Sequence, residues 1–259
     1  MERETRCVRI GQVTLGEGMP AICVPLMGAD IQTLVSAAAR AVKARCDVME
    51  LRFDSLSAAA DVDLALEACS AVRACARDTA LLFTMRTMRD GGAGETDAKR
   101  YAALLEAVIS SGLIDGVDCE LSAGDAVFTR VVRAAKAAGV RVVGSSHAFS
   151  EPENPAIGAE WMHRQQELGA DICKAALMTN SAEKALETAL MFERAGRSLR
   201  VPMIAIAMGP CGILTRMMGE CIGSCLTFGT AGAQSAPGQI DAMELRAALE
   251  TVHRAASGK

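Results

Sequence analysis

The sequence lacks most signatures of metal centres, membrane spans and nucleic-acid binding. Its ten cysteines form no C-x-x-C pair, it has three histidines, and no apolar stretch is long enough to span a bilayer. The charged segment 1–6 precedes no long apolar run, so no signal peptide is evident. The formal net charge of -4 offers no basic surface to nucleic acid. We therefore expect a cytoplasmic protein that binds neither nucleic acid nor membranes.

The cysteines are scattered through apolar segments, which favours reduced thiols in the core over disulfides. Cys221 and Cys225 are four residues apart. This spacing fits one face of a helix better than a zinc knuckle, so we expect no metal there.

Hydrophobic periodicity predicts a fold in which strands and helices alternate. Residues 7–18 alternate apolar and polar side chains around Gly11 and Gln12, which is typical of a short antiparallel hairpin. Short apolar runs then predict strands at 22–27, 48–54, 80–86, 116–121, 141–146, 171–177, 202–208 and 224–228. Amphipathic stretches predict helices at 31–44, 61–76, 95–111, 125–138, 156–168, 182–195, 212–222 and 243–256.

The count and the length of these units are those of a (β/α)8 TIM barrel, preceded by the hairpin. No low-complexity linker interrupts the chain, so residues 1–259 are predicted to form a single domain. A doubly wound sheet is the alternative fold. It would usually carry a glycine fingerprint after its first strand, and the residues there, Met27 to Asp30, do not form one.

Lys174 stands in the middle of an apolar run, 171–178, that is typical of a strand buried on both faces. Lysine is rarely fully buried without a partner or a purpose. Burial disfavours the ammonium, and a neutral amine can condense with a carbonyl to form a Schiff base. The alternative is a lysine near a strand end that reaches out to water.

Polar side chains follow the predicted strands at the ends where a barrel places its active site. The second strand carries Glu50, Arg52 and Asp54 at period two, so these three are expected to face the barrel interior together. The other strand ends contribute the following residues: Arg86 and Asp90 after the third, His147 at the fifth, Arg216 after the seventh, and Ser235 and Gln239 after the eighth.

Each of these residues also has a purely structural explanation. Arg86 and Arg216 could be solvated surface charges, Glu50 and Arg52 could form an ion pair inside the barrel, and His147 could be a hydrogen-bonded structural histidine. Chance alone would rarely place polar groups at the ends of most strands, so the whole pattern favours a functional site. His163 and His253 lie in polar helices and are predicted to be at the surface.

An amine that forms an imine, next to an imidazole that transfers protons, defines a reaction class. The protonated imine acidifies the adjacent C–H bond, and the histidine removes that proton and later protonates a departing hydroxyl. The result is the dehydration of a β-hydroxy ketone. Arginines bind a carboxylate in a bidentate way, so the expected substrate is a small acid.

Short motifs occur in barrel order along nearly the whole chain. They are residues 16–18, 26–28, 50–54, 82–86, 146–149, 167–174, 227–229 and 235–239. In this order they resemble the type I 3-dehydroquinate dehydratases, the Schiff-base enzymes of the shikimate pathway.

The resemblance implies a function and a role for each candidate residue. Lys174 would form the imine with 3-dehydroquinate, and His147 would be the general base and then the acid for syn loss of water, giving 3-dehydroshikimate. Arg216 would bind the carboxylate. Substrate-binding positions would be Glu50, Arg52, Arg86, Ser235 and Gln239. The family needs no metal or organic cofactor and is commonly homodimeric.

The sequence departs from the family at two positions. Asp90 replaces a glutamate that orients the histidine, and it is one methylene shorter; Pro25 replaces a serine of the first barrel strand. Two other functions remain open at this point. An aldolase-type barrel would cleave a carbon–carbon bond, and a binding protein would hold a hydroxylated acid without a covalent adduct.

Overall fold

Eight parallel strands form the centre of the computed structural model, which describes residues 6–76, 78–232 and 239–258. The chain begins with the hairpin strands β1 (Val8–Ile10) and β2 (Val13–Leu15). The barrel strands are β3 (Ala21–Leu26), β4 (Val48–Arg52), β5 (Ala80–Thr84), β6 (Gly116–Glu120), β7 (Arg141–Ala148), β8 (Ile172–Met178), β9 (Met203–Met208) and β10 (Leu226–Phe228). Consecutive strands pair in parallel from β3 to β9, and β10 pairs with β3.

The helices lie between the strands. They are α1 (Ile31–Lys43), α2 (Val62–Cys75), α3 (Ala98–Ser110), α4 (Asp125–Ala138), α5 (Ile157–Glu167), α6 (Ala182–Ser198), α7 (Ile213–Met217), α8 (Gly219–Ile222) and α9 (Ala242–Ser257). Side-chain caps explain several helix starts, since Ser181 accepts from the Lys184 N–H and Asp241 from the Met243 N–H.

The barrel closes between β9 and β10, where the Cys225 N–H donates to the Met203 carbonyl at 2.8 Å. This topology confirms the predicted (β/α)8 barrel, and β1 with β2 confirms the separate N-terminal hairpin. Ile10 and Leu15 of the hairpin are buried with residues at the N-terminal ends of the strands, such as Ala21 and Val48. The hairpin therefore closes one end of the barrel and leaves the carboxyl end for the site.

The barrel interior changes from apolar to charged along the strands. Inward positions recur at period two, so β8 presents Ile172, then Lys174, then Ala176. On β4, Val48 is followed at the same period by Glu50. An apolar lower layer thus supports a charged upper layer, and the outward-facing strand residues pack under the helices.

Strands 48–54 and 80–86 were predicted too long. β4 ends at Arg52 and continues as a short 3-10 turn, Phe53–Ser55, while β5 ends at Thr84. The polar residues at these ends therefore lie partly in turns rather than on the strands.

The predicted helix 212–222 is divided into α7 and α8, and the proposed helical face of Cys221 and Cys225 is wrong. Gly223 ends α8 with a left-handed φ of 83°, so Cys225 lies beyond the helix. At the start of α8, Gly219 packs so closely on Pro20 that a Cβ atom would lie 2.7 Å from the proline ring. All ten cysteines lie in the described part of the chain and are free thiols, but Cys7, Cys75 and Cys221 are exposed rather than in the core.

Within the described ranges, the chain contains no helix that is both long and apolar enough to cross a membrane.

Candidate active site

A cavity that opens to solvent lies at the carboxyl ends of the barrel strands. Together with its open part it contains about 510 Å³ of empty space. Its walls include eight of the nine predicted site residues: Glu50, Arg52, Arg86, Asp90, His147, Lys174, Arg216 and Gln239. The ninth, Ser235, lies outside the described residues.

Lys174 is buried, with 4% of its surface exposed, as its sequence context predicts. The amine does not reach bulk water, which rules out the alternative of a lysine extending into solvent. Its Nζ lies 3.3 Å from Asp118 Oδ2, 3.8 Å from Glu50 Oε1, and 4.7 Å from the centre of the Phe228 ring. The amine therefore has two carboxylates and an aromatic face around it, which the sequence did not predict.

Arg86 binds both carboxylates of β6, those of Asp118 and Glu120. Its Nη2 donates to Asp118 Oδ2 at 2.7 Å, and its Nη1 donates to Glu120 Oε1 and to Ser145 Oγ, each at 2.9 Å. Burial would lower the pKa of Arg86, but Asp118 and Glu120 raise it well above the ordinary value. Arg86 is therefore a buried, permanently charged group, not a solvated surface charge.

Asp118 of β6 is a buried carboxylate that stays ionised beside Arg86 and Lys174. Burial alone would raise its pKa, but Arg86 and Lys174 outweigh burial and hold the pKa well below its usual range. Its second oxygen, Oδ1, accepts from Ser145 Oγ at 2.5 Å. Both oxygens are thus fixed by neighbours on other strands.

Glu50 and Arg52, the two charged residues at the end of β4, do not pair with each other. Arg52 forms a two-bond ion pair with Asp54, at 2.8 Å for each bond, instead of pairing with Glu50. Glu50 accepts from Thr84 Oγ1 at 2.9 Å and faces Lys174. The structure therefore does not contain the Glu50–Arg52 ion pair that was the structural alternative.

His147 lies at the carboxyl end of β7 and contacts Asp90, with 3.1 Å between Nδ1 and Oδ2. Burial, together with the positive charges of Arg86 and Lys174, lowers the pKa of His147 well below its ordinary value. The imidazole is therefore neutral at neutral pH.

Asp90 reaches the imidazole despite its short side chain. Burial raises the pKa of the Asp90 carboxyl, and the positive charge of Arg86 opposes that increase.

Phe149 covers one side of the imidazole. The two rings stack with centroids 6.3 Å apart and planes inclined by 25°. The phenyl ring also lies on Gly91, where an added Cβ would be 2.1 Å from a ring carbon. Gly91 also has a left-handed φ of 78°, so a larger residue there would be strained and would displace the ring.

Arg216 enters the cavity from α7 and is 2% exposed. Its Nη1 donates to the Phe228 carbonyl at 3.4 Å, and burial lowers its pKa to about 10. It remains protonated at neutral pH, so the cavity holds a buried guanidinium suited to a substrate carboxylate. The alternative of a solvated Arg216 is wrong.

Sequence reasoning missed several residues that shape the cavity. Asp118 and Glu120 alternate on β6 with the period that led to Glu50 and Arg52 on β4, so the same signal was present. The contribution of Phe228 was not recognisable, because an aromatic residue in a buried strand is usually core. Among the described residues, no group of three or more His, Cys, Asp or Glu side chains is arranged to hold a metal ion.

The fold and the cavity define a (β/α)8 barrel with a buried lysine and a histidine on adjacent strands at its carboxyl end. A family model described as Type I 3-dehydroquinase matches residues 22–256. The chain is 36% identical over 253 residues to the 3-dehydroquinate dehydratase of Bacillus licheniformis, covering 96% of this chain and 98% of that protein.

Solved structures agree with this match. A crystal structure of the type I 3-dehydroquinate dehydratase from Clostridium difficile, with covalently modified comenic acid, has a TM-score of 0.92 and 32% identity, covering 97% of this chain and 100% of that one. The 3-dehydroquinate dehydratase of Geobacillus kaustophilus gives the same TM-score and identity, with 97% and 98% covered.

The chain belongs to the type I 3-dehydroquinase family. This membership confirms the resemblance inferred from the motifs, and it confirms the prediction of an enzyme of the hydro-lyase class.

Proposed function

We propose that this chain dehydrates 3-dehydroquinate to 3-dehydroshikimate through an imine on Lys174. The observation that carries the proposal is the cavity that Lys174 and a neutral His147 share, in a chain of this family. The structure of the Clostridium difficile relative contains covalently modified comenic acid, which supports covalent chemistry in a related protein.

Imine formation joins the Lys174 nitrogen to the ketone carbon and releases the ketone oxygen as water. The amine must give up a proton before it attacks. The imidazole of His147, which is neutral at neutral pH, can accept it and then give it to the ketone oxygen as that oxygen leaves as water, so His147 is neutral again once the imine has formed.

Loss of water then requires one proton acceptor and one proton donor. Asp90 accepts from Nδ1 of His147, which leaves Nε2 free to take the proton next to the imine carbon. The electrons of that C–H bond form an enamine, and the imine nitrogen loses its positive charge. His147, now protonated, gives its proton to the departing hydroxyl, so removal and departure occur on the same face. Water then hydrolyses the conjugated iminium, which restores the ketone of the product and frees the Lys174 amine.

The remaining cavity residues fit a hydroxylated cyclic acid. Arg216 would bind the carboxylate with its buried guanidinium, and Glu50, Arg52 and Gln239 would bind ring hydroxyls. Arg86 contributes mainly by holding Asp118 and Glu120 in place, and Ser235 would contact the substrate from the segment outside the described residues. The reaction uses no metal or organic cofactor in this scheme.

A turnover assay tests the proposed reaction. Purified protein with 3-dehydroquinate should produce the ultraviolet absorbance of a conjugated enone, and Lys174→Ala should abolish it. Lys184→Ala, which removes a lysine on the exposed part of α6, is the matched control and should retain turnover. Wild-type turnover in Lys174→Ala would end the proposal, and cleavage of a carbon–carbon bond would favour the aldolase-type alternative.

We also propose that the enzyme is a homodimer, as the family resemblance implies. Sedimentation equilibrium should give twice the mass of the chain. The mass of a single chain at micromolar concentration would contradict this.

A further inference from the structure

Asp118 is the anion nearest to the proposed reacting nitrogen. Its Oδ2 lies 3.3 Å from Lys174 Nζ, whereas Glu50 Oε1 lies at 3.8 Å. Glu50 also accepts a hydrogen bond from Thr84. Of the two carboxylates, Asp118 is therefore closer to the site where a charged imine would form.

The surroundings of Asp118 keep it ionised. Arg86 donates to Oδ2 at 2.7 Å and Ser145 donates to Oδ1 at 2.5 Å, while the carboxyl group is 1% exposed. A carboxylate that receives several donors in a buried site favours its charged form. Asp118 cannot serve as a proton acceptor in the reaction under these conditions, and its charge is constant through the cycle.

We propose that Asp118 is the counter-ion of the protonated imine, a catalytic role for a residue that the motif comparison did not assign. The proposal rests on the proposed function, because it requires the imine on Lys174. Asp118 touches the nitrogen that carries the positive charge and supplies the opposite charge at hydrogen-bonding distance.

The electron movements explain why a fixed anion is needed. The nitrogen is positive in the first iminium, neutral in the enamine after the C–H electrons move toward it, and positive again when the hydroxyl, protonated by His147, leaves as water. A counter-ion lowers the energy of both charged states and keeps the imine protonated between them. Without protonation, the imine withdraws electrons less strongly and the adjacent C–H bond is less acidic.

The other groups that face this nitrogen would not replace Asp118. Glu50 approaches from β4, the neutral His147 from β7 and the Phe228 ring from β10, while Arg86 brings positive charge from the segment after β5. Cys23, below them on β3, is a neutral thiol whose pKa burial raises well above its ordinary value. Without the negative charge of Asp118, the positive charge of Arg86 would destabilise the protonated imine more strongly.

The test follows the protonation of the imine directly. Enzyme saturated with 3-dehydroshikimate should contain a conjugated iminium, whose absorbance changes when it loses its proton. A pH titration of that absorbance gives the pKa of the imine. Borohydride reduction and intact mass, measured on the same samples, report whether the imine forms at all.

The substitution Asp118→Asn removes the charge and keeps the shape. We expect the imine pKa to fall by about one to three pH units, the range for loss of an opposite charge at this distance. Ser145→Ala keeps the charge of Asp118 and removes one donor to it, so it serves as the control and should shift the imine pKa by less. Glu50→Gln should also shift it less than Asp118→Asn does.

Each outcome separates the two proposals. No borohydride adduct in the wild-type protein would defeat the imine itself, and the counter-ion role with it. Two results would overturn the role of Asp118 and leave the imine intact. One is a folded Asp118→Asn that forms the adduct with an unchanged imine pKa, and the other is a larger shift of that pKa in Glu50→Gln than in Asp118→Asn. If Asp118→Asn fails to fold by circular dichroism, the wild-type value decides: an imine pKa no higher than that of the same imine formed with a free amine in water counts against the proposal.

Discussion

Gln165 binds both peptide groups of Lys174. Its Nε2 donates to the Lys174 carbonyl at 3.0 Å, and its Oε1 accepts from the Lys174 N–H at 2.9 Å. The same amide nitrogen lies 3.1 Å from Ser146 Oγ on β7. A fully buried side chain of α5 therefore fixes the backbone from which the proposed reactive amine extends.

Loss of this contact should reduce stability. Gln165→Leu fills the same space but leaves the Lys174 N–H and carbonyl without these partners, and each buried unsatisfied group costs about 1 to 3 kcal/mol. Urea denaturation should show a lower free energy of unfolding. Glu160→Ala, at an exposed position of the same helix, is the control and should change it by no more than about 0.5 kcal/mol. Equal stabilities for the two variants would contradict this role.

The low pKa of His147 predicts the pH dependence of the reaction. Burial and two neighbouring cations disfavour the imidazolium, so the ring stays neutral as the pH falls through its ordinary pKa of about 6.5. The base is therefore available below pH 6.5, and kcat/KM should decline only at lower pH. A pH profile of kcat/KM checks this. A half-maximal point at or above about 6.5 would show that the histidine is not desolvated as described.

Asp90 should determine which nitrogen of His147 carries the hydrogen. In Asp90→Asn the amide can donate to Nδ1, which favours the tautomer whose Nε2 is protonated and cannot act as a base. We expect kcat to fall by about 100-fold or more, the usual contribution of general base catalysis. The borohydride adduct should persist, because imine formation does not depend on the tautomer alone.

Asp90→Glu serves as the control for this prediction. It retains a carboxylate and should keep more activity than Asp90→Asn. If Asp90→Asn retained the wild-type kcat, the contact between Asp90 and His147 would have no orienting function.

Phe149 should influence the pKa of His147 by excluding water. The ring is 44% exposed and stacks beside the imidazole, so Phe149→Ala would admit solvent to that side. Since burial is the main cause of the low pKa, hydration should raise it toward 6.5, and the acidic decline of kcat/KM should move to higher pH. Phe149→Leu retains an apolar cover and should leave the profile closer to that of the wild type. Identical profiles for Phe149→Ala and the wild type would contradict this shielding.

The sequence was sufficient to predict the barrel and the residues that line its mouth. Lys174 stands out because a charge interrupts a buried strand, and His147 stands out because it follows one directly. These signals are local. They depend on strand periodicity and on the rule that barrel sites lie at the carboxyl ends of strands.

The sequence did not predict which side chains these residues contact, because the contacts join strands that are far apart in the chain. Asp118 is 56 residues from Lys174 in the chain, and Arg86 joins it to Glu120 from a third segment. Whether a strand-end arginine faces water or a buried carboxylate is decided by those tertiary contacts. Gly219, which begins α8 after the break at Met218, packs on Pro20 from a distant segment, and no local pattern reveals that contact.

The most direct measurement is the location of the covalent adduct. Protein incubated with 3-dehydroquinate and borohydride would be digested and mapped by tandem mass spectrometry. The proposed mechanism predicts a reduced adduct on the peptide that contains Lys174, and none in Lys174→Ala. An active enzyme with no adduct, or with an adduct confined to another lysine, would contradict it.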